Sequence, residues 1–130
     1  MKKKRTMENN GKLLEDSLLV IWNDRDADRR LQSMKTIYAE DIVFYEADES
    51  PSTNGHQAIN DLISELQKQW PLEFKFELSQ PLKVNHQIQY ISWALGAPGE
   101  RPAASGMDIA TVEDDRIKEL HLFLDVAPKV

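Results

Sequence analysis

The chain has 130 residues, 41% hydrophobic and 29% charged, with a formal net charge of −6 and no cysteine. That length and composition fit one globular domain with a single core. The acidic balance argues against a nucleic-acid binder, and the lack of cysteine excludes disulfides, thiolate catalysis and cysteine-based zinc sites.

Residues 1–10, beginning Met1-Lys2-Lys3-Lys4-Arg5, read as a flexible basic tail, and residues 11–130 as a single domain. The tail starts like a secretion signal, but Glu15 and Asp16 follow Leu13 and Leu14 at once, so there is no apolar segment to insert. No run approaches the roughly 18 apolar residues of a membrane span. A cytoplasmic protein with no membrane contact is the expectation.

Leu14, Leu18, Ile21 and Trp22 share one helical face from Asn10 to about Arg25. Asn23-Asp24-Arg25-Asp26 breaks it, and Asp26 is placed to cap a second helix running through Tyr38. Ile42 to Glu46 reads as a short strand, followed by a polar loop. A third helix is expected from about Gly55 to Gln69, with Ile59, Leu62, Ile63, Leu66 and Trp70 on its apolar side, before Pro71.

Beyond Pro71 the hydrophobic period changes to two. Phe74 to Leu78 alternates, and Gln87 to Leu95 puts Ile91, Trp93 and Leu95 on one face and Ile88 and Tyr90 on the other. Strands over about Ala103–Glu113 and Arg116–Val126 complete the chain. Three helices followed by antiparallel strands mean α+β, with the helices on one side of a curved, mostly antiparallel sheet. Such a sheet makes a cone whose inner face is either filled or encloses a ligand.

Asp108 is the most telling residue. A carboxylate inside a strand needs water, a partner or a perturbed pKa. With a two-residue turn at Asp114-Asp115, Asp108 would face His121 across the final hairpin, an arrangement suited to acid–base work. A one-residue bulge would instead put Leu120, Leu122 and Leu124 on the Asp108 face. His56 and His86 read as solvent-facing, and three dispersed histidines have no metal-ligand spacing.

The order of elements, with Trp22-Asn23-Asp24-Arg25-Asp26-Ala27-Asp28, Tyr38 to Glu46, Asn54 to Ile59, and Gly106-Met107-Asp108-Ile109 through Glu119-Leu120-His121, resembles the nuclear transport factor 2-like superfamily. Within it the chain is similar to the SnoaL-like polyketide cyclases and ketosteroid isomerases over about residues 11–126. The resemblance implies a cone-shaped roll of the cystatin-like α+β barrel type.

It also implies proton chemistry without a cofactor or metal on a small apolar, carbonyl-bearing molecule, as a cyclase, isomerase or dehydratase. Glu46 falls where the isomerases keep the carboxylate that moves a proton on carbon. Asp108 falls where they keep an aspartate donating to the oxyanion. Their tyrosine positions are Leu18 and Ile63 here, which removes the phenols of steroid isomerisation. A dehydratase would use Asp108 with His121; epoxide hydrolysis by an Asp–Arg–Asp cluster finds no placement, since Arg101 lies in a turn.

The expected catalytic groups are therefore Asp108, Glu46 and His121. The expected pocket wall is Trp93, Ile91, Leu95, Leu18, Trp22, Phe44, Leu62 and Ile63. The alternative is a non-catalytic binding or dimerisation module on the same fold. A homodimer is expected through the outer sheet face, using Ile88, Tyr90, Met107 and Ile109, with Leu122 and Leu124 in the paired register.

Overall fold

The first apolar face forms, but the helix that carries it is short and changes pitch. In the computed structural model, which describes residues 11–125, helix α1 spans Leu13–Asp16 and widens into a π-helical segment over Ser17–Trp22. Leu14, Leu18 and Ile21 are buried along it. The basic tail expected at residues 1–10 and the end of the last expected strand at Val126 lie outside the described residues.

Asp26 caps α2 (Ala27–Ile37) as expected, its carboxylate accepting from the Arg29 N–H at 3.0 Å. Helix α3 spans His56–Gln67. The break between α1 and α2 is pinned from three sides. Arg30, 1% exposed, donates from Nε to Asn60 Oδ1 (2.6 Å), and from one terminal nitrogen to Gln67 Oε1 (2.9 Å) and the Asp24 carbonyl (2.7 Å). Its other terminal nitrogen donates to Ser64 Oγ. Arg25 donates to the carbonyls of Gln67 and Pro71 just past α3. The Asn23 amide donates to the Phe76 carbonyl and accepts from its N–H, at 3.1 and 2.7 Å.

Seven strands form one sheet: β1 (Tyr38–Tyr45), β2 (Thr53–Asn54), β3 (Lys75–Leu78), β4 (Lys83–Asn85), β5 (Ile88–Gly96), β6 (Ala104–Glu113) and β7 (Arg116–Leu124). Their order is β2-β1-β7-β6-β5-β3, with β4 also on β5. Only β1 and β7 run parallel. The sheet is curved but not closed, so the roll is open rather than a barrel. Strand β5 alternates as its sequence dictates, with Ile91, Trp93 and Leu95 buried under the helices.

The final hairpin corrects the register expected from pairing alone. Asp114 and Asp115 form the two-residue turn, with φ of 51° and 63°, and Glu113 and Val112 pair with Arg116 and Ile117. The ladder then shifts, so that Thr111 pairs with Glu119 and Lys118 is the extra residue. Asp108 thus faces Leu122, and His121 faces Ile109. The bulge turns Leu120, Leu122 and Leu124 inward and Glu119 and His121 outward, which favours burial of apolar surface over burial of charge. Lys118 Nζ pairs with the Asp41 carboxylate on β1, whose own ladder is irregular at the same place.

Replacing Arg30 with methionine keeps the aliphatic stem but leaves the buried side-chain oxygens of Asn60 and Gln67 without the guanidinium donor. A loss of at least about 3 kcal/mol in urea-unfolding free energy is expected. Arg29→Met, which removes an exposed ion pair with Asp24, should change the midpoint little. Equal effects of the two changes would count against this reading of the helix junction.

Candidate functional site

A cavity of about 220 Å3 lies between the inner sheet face and the helices, opening near the end of β7. The π-helical segment supplies Leu18 and Trp22, β1 supplies Phe44, and Glu46 stands one residue past β1. Leu66 and Trp70 enter from α3 and the turn after it. The sheet adds Phe76, Trp93, Leu95 and Ala104, with Leu122 and Leu124 from β7. Among the described residues, Glu46 and Asp108 are the only ionisable groups in this wall.

Asp108 sits in an apolar row, between Ile91 on β5 and Leu122 on β7. It is buried, and Trp93 Nε1 donates to its Oδ1 at 3.0 Å. Burial pushes the carboxyl from its ordinary value near 3.8 up to about 7, against the opposing pull of the Trp93 hydrogen bond. Gly106, paired with Trp93, makes the contact possible. A Cβ there would lie 2.8 Å from the indole Cζ2 and 2.8 Å from the Phe123 carbonyl oxygen.

The aromatic wall is mutually braced. Phe76 meets Trp93, Trp70 and Trp22 edge-on, at ring-centroid distances of 5.2, 5.5 and 6.2 Å, and Trp22 meets Phe44 at 5.7 Å. The Trp22 indole N–H is spent on the Tyr38 hydroxyl (3.2 Å), which also bonds Ser17 Oγ at 2.6 Å. Burial pushes Tyr38 up to about 12, and its phenol is not part of the cavity wall. Leu18 and Ile63 stand where the resembling isomerases keep tyrosines, and among the described residues no phenol lines the cavity.

Of the residues expected in the wall, Trp93, Leu95, Leu18, Trp22 and Phe44 line the cavity. Ile91 and Ile63 are instead sealed in the core, and Leu62 packs half-buried against it, one helical turn short of the cavity reached by Leu66. Asp108 and Glu46 come together on one cavity. His121 does not join them. It stacks on Tyr45 on the outer sheet face, with ring centroids 4.6 Å apart, so the expected Asp108–His121 pair does not form. Leu66 and Trp70 lie on the apolar face that the third helix shows in sequence. Leu122 and Leu124 follow from the bulged register.

A larger groove of about 490 Å3 runs between α1, α2 and the β6–β7 turn, with Asp16, Thr36, Asp115 and Arg116 among its walls. It shares no residue with the first cavity. Its two carboxylates are only half-buried and lack the apolar enclosure that perturbs Asp108. Among the described residues no helix is long and apolar enough to cross a membrane.

No family model and no curated protein matches the chain. Solved structures do. A proposed isomerase of the SnoaL-like family from Agrobacterium tumefaciens superposes with a TM-score of 0.78 at 23% identity, over 90% of this chain and 98% of that one. A proposed ketosteroid isomerase from Kribbella flavida gives 0.70 at 16% identity, over 95% and 82%. A proposed SnoaL-like polyketide cyclase from Jannaschia gives 0.71 at 12%, over 91% and 86%. The chain has the SnoaL-like, nuclear transport factor 2-like fold. A designed protein with a curved β-sheet shares it at a TM-score of 0.68, so this SnoaL-like architecture does not by itself specify chemistry.

The raised carboxyl has a direct consequence for stability. Between about pH 4 and pH 7 the folded domain holds a proton on Asp108 that the unfolded chain releases, so this group's contribution declines as pH rises and is lost above about pH 7. Asp108→Asn should abolish that component. The variant should melt at a higher temperature than the parent at pH 8, and the difference should shrink towards pH 4. Trp93→Phe should move the Asp108 titration, followed by carboxyl 13C shifts, to still higher pH. An unchanged difference in melting temperature from pH 4 to 8 would remove the linkage.

Proposed function

We propose that the protein is a cofactor-independent enzyme that moves a proton on a small apolar carbonyl compound, as an isomerase, cyclase or dehydratase does. One observation carries this reading: two carboxylates, one within β6 and one just past β1, reach the same, otherwise apolar cavity. The structural neighbours described as isomerases and cyclases favour it as well.

Glu46, half-buried at the wall, takes the proton from the carbon next to the carbonyl. The C–H electron pair moves towards the carbonyl oxygen as an enolate develops. Asp108, protonated, donates to that oxygen, a role that needs a carboxyl kept neutral near neutral pH. Glu46 then returns the proton to the same carbon or to a conjugated one, which leaves atoms and charge balanced. His121, on the other face of the sheet, has no part in this scheme.

We also propose that the protein pairs with a second copy through the outer sheet face. Phe123 and Ile88 are 53% and 43% exposed there, and they stand in one face with Tyr90, Met107 and Ile109. Leu122 and Leu124, which the unbulged register would place on this face, line the cavity instead.

Solvent-deuterium exchange and double-bond migration can be followed with 3-cyclohexen-1-one as a single-ring ketone and a β,γ-unsaturated steroid ketone as a four-ring one. Asp108→Asn and Glu46→Gln are each expected to slow proton transfer at least about 100-fold. The parent rate should fall above about pH 7 as Asp108 loses its proton, a limb the Asp108→Asn variant should lack. Unchanged rates in both variants would leave the non-catalytic binding module as the better reading.

Light scattering should show a dimer at micromolar concentration, and Phe123→Glu should reduce it to a monomer. A monomeric parent would remove the pairing.

A further inference from the structure

We infer that the cavity selects a flat ligand without negative charge, built on a single ring, and excludes both carboxylates and fused four-ring skeletons. This inference deepens the proton-transfer reading and rests on it for the carbonyl. Size and charge follow from the cavity wall alone.

An apolar cavity of about 150 Å3 takes one benzene molecule. The 220 Å3 here adds room for a short substituent, and lies below the roughly 300 Å3 at which pockets for drug-sized ligands begin. The wall cannot easily widen. Phe76 is wedged edge-on among three tryptophans, Trp22 is tied to Tyr38, and Trp93 to Asp108. Enlarging the cavity would require breaking several of these contacts together.

Charge selection follows from the same wall. Among the described residues no lysine, arginine or histidine lines the cavity, whereas Glu46 and Asp108 both do. An anionic ligand would be desolvated beside two acidic groups with none of these cations to meet it. A neutral carbonyl can accept from the protonated Asp108 carboxyl. The aromatic wall offers ring edges and faces to a flat molecule.

All three tryptophans of the chain, Trp22, Trp70 and Trp93, lie in this wall, so their fluorescence reports its occupancy directly. Titrations at pH 6, where Asp108 keeps its proton, with calorimetry in parallel, would compare benzamide, benzoate and a four-ring steroid ketone. Benzamide should bind, with the other two at least tenfold weaker. Ala104→Phe should lower benzamide affinity at least tenfold while keeping a cooperative melt. Leu124→Phe, at the exposed rim, makes the same test should Ala104→Phe not fold.

The inference is overturned if the steroid or benzoate binds as tightly as benzamide, or if benzamide does not bind. The two readings fail separately. Steroid isomerisation dependent on Asp108 and Glu46 would keep the chemistry and overturn the size limit. Selective benzamide binding with unchanged proton transfer in Asp108→Asn and Glu46→Gln would do the reverse.

Discussion

The buried Arg30 guanidinium holds the helical layer in one arrangement. It has no carboxylate bound to it, so its protons are met by the neutral acceptors of Asn60, Ser64, Gln67 and Asp24. Those acceptors belong to α3 and to the break before α2. Gln67 in turn donates back to the carbonyls of Trp22 and Asp24. The direction in which the first helix ends is thereby coupled to the position of the third. Trp22 and Leu66, on those two helical segments, both face the cavity. The cavity inherits its shape from a hydrogen-bonded knot that is not part of its wall.

Asp108 is the opposite case, a polar group whose surroundings do not satisfy it. One indole N–H reaches it, and the neighbouring inner positions on β5 and β7 are isoleucine and leucine. A strand that needed only to pack would carry an aliphatic residue there. The wide π-helical turn, the glycine opposite Trp93 and the desolvated carboxyl are all departures from local preference; the first and last border one cavity, and the glycine packs against Trp93 in its wall. Departures gathered in one place mark where a sequence has been shaped by something besides stability.

Much of this was legible from the chain itself. Periodicity found α2, α3 and the alternation of β5, because each depends on which residues neighbour one another along the chain. The resemblance to the isomerases, not periodicity, put Asp108 and Glu46 on one pocket. Local pattern failed where the answer depends on a third strand. The Asp114–Asp115 turn formed as its spacing implied, yet the register slipped beyond it at Lys118, beside the irregular start of β1. No local pattern in β6 or β7 encodes that contact, and His121 changed faces as a result. Strands β2 and β4 are two and three residues long, too short for a period to show. Leu62 and Ile63 share the apolar side of α3 with Leu66; only the depth at which the helix crosses the sheet separates core from cavity.

The open sheet leaves β3 as an outer strand, and outer strands are where unrelated chains add themselves by backbone pairing. The side chain of Asn23 occupies that opportunity at Phe76, filling donor and acceptor together as a neighbouring strand would. Exposed Lys75 and Glu77 flank the filled position with opposite charges. A single amide borrowed from a helix junction therefore serves as a stop to lateral growth, and its loss would turn a finished border into a template for fibrous assembly.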